Sequence, residues 1–311
     1  MKTISRLHIP LHSSPKLGEV AAKGRRRSVC QCEGLGVRLL LIFLLLPFMA
    51  TAQTQQNSDA EAGARLAVSV DKKITKGLHV ALEEELRFDN NLSSFNRFQT
   101  TLSASYKVLP FLKLGVGYSL INRYDSYESA FKNPRHRFYL EAKGTCHLGD
   151  WQFSLRERIQ ATHRTGSFNP YQNPANSWAL KSRLKVAYNG LRRFTPYASA
   201  EMRLRLNAPV INAVYNTAND TWGYYSGSTF YTTGTEGWFL EGFTGTYADR
   251  LRFTLGTTYR IDKRNTIDLY LMADYDMEKS IDANAEGTRL KSYTLTKGMM
   301  CWIGVSYQYK F

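Results

Sequence analysis

Chemistry in this chain of 311 residues would have to come from few side chains. Past residue 60 the histidines are His79, His136, His147 and His163. His136 and His163 fall near segment ends, with Ser129, Thr162 and Ser167 nearby in sequence. Such a set could supply a histidine-activated hydroxyl for acyl transfer on a lipid headgroup. No GxSxG or comparable motif frames it, and a nucleophile needs its base and oxyanion donors held in a fixed arrangement. The expectation is therefore no enzyme and no catalytic residue. Metal chemistry finds no better footing: HExxH, DxDxDG and clustered Cys and His are all missing from the sequence. Asp274 and Asp276 are successive same-face positions on one segment, and Cys146 and Cys301 stand far apart with no CxxC between them, as packing cysteines do. No metal and no cofactor is expected.

What the chain does have is charge at alternate positions. Glu83, Glu85 and Arg87 form one such run, followed by Arg97, by Arg137, Glu141 and Lys143, and by Arg156 and Arg158. Further along come Lys181, Arg183 and Lys185, then Glu201, Arg203 and Arg205, then Asp268 and Asp274. Charges spaced by two point to one face of an extended strand. If those faces line an enclosed interior, two outcomes are open. The groups pair into a salt-bridge network that plugs a rigid structure, or they line a narrow, anion-preferring path for small solutes.

The elements that must hold these side chains are strands. Between residues 78 and 88, Leu78, Val80, Leu82, Leu86 and Phe88 alternate with His79, Ala81, Glu83, Glu85 and Arg87, with Glu84 as the exception. The pattern returns through residues 98–108, 112–120, 137–143, 178–188, 198–206, 251–259, 267–275 and 301–311. Residues 151–159 follow it too, except that Glu157 lands on the apolar face, which predicts a position near an interface or a bulge that shifts the register. Connections alternate in length. Those at 108–112, 148–151, 189–193 and 262–265 are tight, whereas 89–96, 124–134, 164–177, 207–236 and 278–297 are long. A soluble sandwich need not sort its connections this way; a membrane barrel with periplasmic turns and extracellular loops does. The fold expected over residues 63–311 is thus an all-β, transmembrane, antiparallel up-and-down barrel of 10–12 strands. With both ends on the periplasmic side the count must be even. Residues 63–74 then run the wrong way for the wall and belong in the lumen or at the periplasmic mouth, unless residues 236–248 supply a twelfth strand.

The start of the chain fits export. Leu39 to Met49 is the one long apolar run, preceded by Arg25, Arg26, Arg27 and Arg38 and followed by Ala50, Thr51 and Ala52. A basic flank, a short apolar core and a small-x-small site make a secretory signal peptide, expected to be cut after Ala52. Eleven apolar residues are too few to span a bilayer as a helix. Cys30 and Cys32 leave with this segment, and residues 53–62 form a short mature lead. The polar stretch 1–28, with Pro10 and Pro15, predicts a translation start downstream at Val29 or Val37. The formal net charge of +15 falls to +9 once residues 1–52 are removed. For an exported chain that balance suits anionic lipid, not nucleic acid. The chain is rich in aromatics, with 19 Tyr, 16 Phe and 5 Trp, and the terminal rings Tyr307, Tyr309 and Phe311 are expected to join the aromatic girdle at the periplasmic interface. The partners expected are outer-membrane lipid and lipopolysaccharide, with secretion and barrel-assembly machinery during biogenesis. Loop aromatics Tyr215, Trp222, Tyr224, Tyr225, Phe230 and Tyr231 suit either a lid over the barrel mouth or surface recognition of a glycan or protein.

The sequence ends on Gly304, Tyr307, Tyr309 and Phe311. This resembles the carboxy-terminal signal read by the barrel assembly machinery, with Trp302 standing at its usually polar leading position. Glu85 and Arg87, Arg135 to Lys143 (RHRFYLEAK), Leu155 to Gln160 (LRERIQ), Pro196 to Glu201 (PYASAE) and Arg252 to Tyr259 (RFTLGTTY) together resemble the DUF2490 family of bacterial, Bacteroidetes-type outer-membrane proteins. That resemblance spans nearly all of residues 60–311. It implies the fold and the membrane location, and it brings no assigned activity or catalytic residue.

Overall fold

The computed structural model describes residues 55–57, 61–166, 169, 174–211, 214–216, 221–226, 229–232, 240–283 and 290–311. The signal segment and its site at Ala50 and Ala52 lie outside the described residues, as do the side chains of the aromatic loop 212–239 and Ser167. The first strands are β1 (Gln55–Asn57), β2 (Glu61–Thr75), β3 (Leu78–Asp89), β4 (Ser94–Leu109), β5 (Leu112–Asp125) and β6 (Ala130–Phe131). There follow β7 (Arg135–Leu148), β8 (Trp151–Arg164), β9 (Asn176–Tyr188) and β10 (Phe194–Ile211). A small separate sheet is built from β11 (Val214–Asn216), β12 (Thr221–Ser226) and β13 (Thr229–Thr232). The chain finishes with β14 (Leu240–Arg260), β15 (Asn265–Ala283) and β16 (Leu290–Lys310).

Eleven of these strands close a barrel in the order β2, β3, β4, β5, β7, β8, β9, β10, β14, β15, β16, with β16 returning to β2. Closure leaves the wall no free edge. Every neighbouring pair is antiparallel except the last. β16 runs parallel to β2 from Met300 opposite Glu61 to Lys310 opposite Asp71, and β1 continues the parallel pairing above it.

The strand count corrects the even parity expected from the sequence. Residues 61–75 are neither in the lumen nor at its mouth. They are wall, joined to β3 by a hairpin whose Gly77 has φ +88° and accepts a bond from Lys107 N. The physical reason is the alternation of β2 itself. Leu66 and Val68 point outward, 46% and 54% exposed, and Arg65 is buried on the inner side at 3%. Such a strand completes the apolar outer belt and has no second place to put its two faces. The parity argument required both chain ends on one side, yet β2 starts at the long-loop end of the barrel. Residues 240–248 add no strand, being the upper part of the 21-residue β14.

The molecule is apolar outside and polar within. Val116, Phe138, Leu140, Phe253, Leu255 and Leu271 are each more than half exposed on the outer face, whereas Ser119, Gln160, Glu201 and Asp274 are buried on the inner one. From Trp178 to Tyr188 the apolar face of β9 covers about 25 Å along the barrel axis, at ~3.3 Å per residue and a strand tilt of ~40°. Aromatic pairs bound the belt. Trp151 with Tyr188, Phe194 with Tyr259 and Tyr309 with Phe311 sit at the tight-turn end, and Phe88, Phe95, Tyr124 and Phe131 cluster at the loop end.

Two carboxylates break the outer pattern without breaking the register. Glu157 lies level between Ala142 and Ser182 in an unshifted ladder, so the bulge or interface position expected for it is not what the structure has. Instead the Ser182 hydroxyl donates to its carboxylate, as the Thr100 hydroxyl does to Glu84 at 2.9 Å. A cross-strand hydroxyl satisfies each group where the surrounding surface offers no polar partner.

Candidate functional site

The inner wall is divided by charge. β7 directs Arg135, Arg137 and Lys143 inward, β8 Arg156, Arg158 and Arg164, and β9 Lys181, Arg183 and Lys185. Among these three strands the one inward carboxylate is Glu141. Away from these strands acids and arginines stand together: Asp249 is on β14, Asp268, Asp274 and Asp276 on β15 and Glu201 on β10, among Arg203, Arg205, Arg250 and Arg252, while Glu83 and Glu85 are on β3.

Pairing runs along the wall. Arg158 reaches Glu141 on the adjacent strand at 2.6 Å, and Arg156 reaches Glu201 two strands away at 2.7 Å. Arg252 grips Asp274 with two bonds of 2.6 and 2.7 Å, and Arg65 adds a third at 3.3 Å from the other side of β16. Arg203 and Arg205 share Asp249, Arg250 takes Asp276, and Arg87 takes Glu85 on its own strand. Asp268 accepts from the Tyr197 and Thr258 hydroxyls at 2.8 and 2.9 Å.

Of the positions singled out from the sequence, Glu85, Arg87, Glu141, Arg156, Arg158, Glu201, Arg203, Arg205 and Asp274 thus come together in pairs. Glu83, Arg97, Arg137, Lys143 and Arg183 form no ion pair among the described residues. Arg137 donates to the Thr162 hydroxyl at 3.2 Å, and the Lys185 ammonium sits 3.3 Å over the Tyr197 ring. Sequence reasoning passed over Arg65, Asp249, Arg250 and Arg252 as lumen charges and met Asp276 only as a same-face neighbour of Asp274. Arg65 is on the strand assigned elsewhere. Asp249 occupies a bulge between the pairs Arg203–Arg250 and Leu204–Ala248, where alternation fails as a guide.

Large inward aromatics are laid flat. Tyr139 faces Gly117, Tyr197 faces Gly256, Tyr270 faces Gly304 and Trp302 faces Gly63, each directly across one ladder step. A Cβ at any of these glycines would come within 2.0–2.7 Å of the opposing ring. The missing side chain lets each ring lie against the wall, where it does not project across the lumen. Trp302, at the usually polar position of the terminal strand, is one of these rings and carries the Arg65 guanidinium 4.3 Å above it. Gly304 is another inward seat, whereas Tyr307, Tyr309 and Phe311 belong to the outer aromatic girdle.

Among the described residues the hydroxyl and histidine set is not assembled. His136 and His163 are ladder partners on the outer face, held by the Tyr118 hydroxyl at 2.7 Å and by Asn176 at 2.9 Å. Thr162 points into the lumen on the other side of the wall. Among the described residues no three His, Cys, Asp or Glu side chains group as metal ligands, and both Cys146 and Cys301 are free thiols.

A closed wall with an apolar belt, aromatic rims and an ionic interior defines a transmembrane β-barrel. The match of its family model over residues 63–285 is more specific: the chain belongs to the family described as Protein of unknown function (DUF2490). No curated protein matches it. Among solved structures, "NanC porin structure in rhombohedral crystal form" aligns at TM-score 0.37 and 14% identity, over 76% of this chain and 95% of that one. "Anion-selective porin from Comamonas acidovorans" aligns at TM-score 0.30 and 10% identity, over 76% of this chain and 55% of that one.

Proposed function

We propose that this protein is an outer-membrane channel that passes small solutes and prefers anions. The observation that carries the reading is the inner face of β7, β8 and β9, where Arg and Lys line three adjacent strands against Glu141 alone. A wall of fixed positive charge facing water concentrates anions and repels cations. Size supports it, since eight strands give an interior that side chains just fill and eleven give more. Two further features favour an open interior. Ion pairs run along the wall, and the bulky rings lie flat on glycines. A purely structural plug would need acids and bases to meet across the lumen.

Export through the segment 1–52, passage through the secretion and assembly machineries, and a setting of outer-membrane lipid and lipopolysaccharide belong to the same proposal, with Gly304, Tyr307, Tyr309 and Phe311 as the assembly signal. The apolar belt supports the setting, because a surface of that extent is soluble only in lipid. The protein acts without cofactor and without catalysis. The test is permeation into liposomes carrying the purified barrel. Small anionic solutes are expected to enter faster than neutral ones of equal size, and cationic ones slowest. Equal exclusion of all three would overturn the channel reading.

A further inference from the structure

The loop-side half of the lumen holds an arrangement that general anion preference does not require. Arg65 on β2 is the ladder partner of Arg87 on β3, Arg87 of Arg97 on β4, and Arg97 of Arg123 on β5. Four arginines therefore stand side by side on four adjacent strands. One step on, Arg135 on β7 faces Arg164 on β8 and extends the band around the wall. Like charges directly opposite one another destabilise a sheet, so a row of this kind needs counter-charge.

The protein supplies only part of it. Glu85 pairs with Arg87, and Arg65 shares Asp274 with Arg252. Arg97 donates to the Asn96 side chain at 2.9 Å and makes no ion pair among the described residues, and neither does Arg123. Of the buried polar atoms with no partner, Gln99 Oε1 stands in this band, whereas Arg65 Nε belongs to the guanidinium that lies over the Trp302 ring. Gln99 follows Arg97 on the same face of β4. Neighbouring guanidiniums without carboxylates of their own mark a place prepared for an anion.

We infer that the band Arg87, Arg97 and Arg123 is a binding site for compact solutes bearing two or more phosphate, sulfate or carboxylate groups. Neighbouring strands are ~4.8 Å apart, so adjacent guanidiniums match acid groups separated by one or two bridging atoms. The planar fork of each arginine accepts such a group bidentately. A single-charge anion neutralises one member of the row and leaves its neighbours repelling. A bridging multivalent anion relieves two or three at once. The site rests on the channel reading for access, since solute must enter the lumen to reach it.

The experiment uses the full-length protein in planar bilayers, with pyrophosphate as the probe and orthophosphate as the comparison. Pyrophosphate should reduce the ion current saturably, at concentrations about tenfold below those orthophosphate needs. R97Q and R123Q should each raise the half-blocking concentration about tenfold, with K263Q in the tight turn unchanged. Currents that pyrophosphate does not block, or a block that R97Q and R123Q leave unaltered, would overturn the site while the channel reading stands. If no current flows, the channel reading fails on its own, and calorimetry on the detergent-purified barrel decides the site. Pyrophosphate binding lost in both variants would support it, and no binding to the unaltered protein would overturn it. Retention of the folded, heat-modifiable form in gels shows that each variant still closes its barrel.

Discussion

Asp274 shows how closely single side chains are tied to the wall. Its carboxylate accepts from Arg252 and Arg65, and it is 2% exposed. Asp274→Asn would leave Arg65 with no carboxylate and Arg252 with Glu201 alone at 3.7 Å, and removing one partner of a buried pair costs about 3 kcal/mol. Urea unfolding of the reconstituted barrel should show a loss of that order, and an unchanged midpoint would contradict the pairing. Gly304 is held as strictly by space, since a Cβ there would stand 2.0 Å from the Tyr270 ring. Gly304→Val should destabilise by about 1–3 kcal/mol, and Tyr270→Ala in the same chain should restore part of the loss, read again by urea midpoint. Much of this was legible beforehand. Strict period-two alternation placed Glu141, Arg156, Arg158, Glu201 and Asp274 on the inner face, where the structure has them. Their partners were not legible, because partnership depends on register between strands. Arg252 and Arg65 meet at Asp274 only once β15, β16 and β2 are side by side. The glycine seats under Tyr139, Tyr197, Tyr270 and Trp302 are likewise a property of register.

At the scale of elements the closing seam is the least conventional part of the fold. A parallel pair is somewhat weaker per residue than an antiparallel one, and here it is sealed at its lower end by Phe311 N donating to Asp71 O at 2.9 Å. Cys301 on β16 lies opposite Ala62 on β2, and both face outward. Ala62→Cys should therefore form a disulfide with Cys301 on mild oxidation, seen as a mobility shift of the unfolded protein in non-reducing gels. A strand lodged in the lumen would give no such cross-link. The turn between β14 and β15 responds to pH. The Asn265 side-chain amide, together with the Arg264 and Asn265 backbone N–H groups, holds the exposed Asp262 carboxyl below the usual carboxylate range. A depressed value means that the stabilisation is present above the ordinary carboxylate range and is lost as pH falls through the lower, folded value. Amide exchange at Asn265, corrected for intrinsic rate, should accelerate there, and Asp262→Ala should remove the dependence. This turn was readable from its residues. The seam was not, since its strand direction follows from the Lys76–Gly77 hairpin and no local pattern states which side of a membrane a chain begins on.

For the whole molecule, the central claim is that charge is sorted across the lumen and that this sorting selects anions. β7, β8 and β9 present cations with Glu141 as their one inward acid, whereas on β14 and β15 Asp249, Asp274 and Asp276 are bound to arginines and Asp268 to two hydroxyls. Fixed carboxylates that are paired within the wall have little left with which to attract a cation, while Lys143, Lys181 and Arg183 have no carboxylate partner among the described residues. Family membership fixes the architecture and is silent on transport, so the claim stands on this distribution. The most direct test is the reversal potential of single barrels in a planar bilayer under a potassium chloride gradient. The sign expected is that of a chloride-selective pore, shifting toward zero when Lys143, Lys181 and Arg183 are changed to Gln. A potassium-selective sign, or stable insertion with no current, would contradict it.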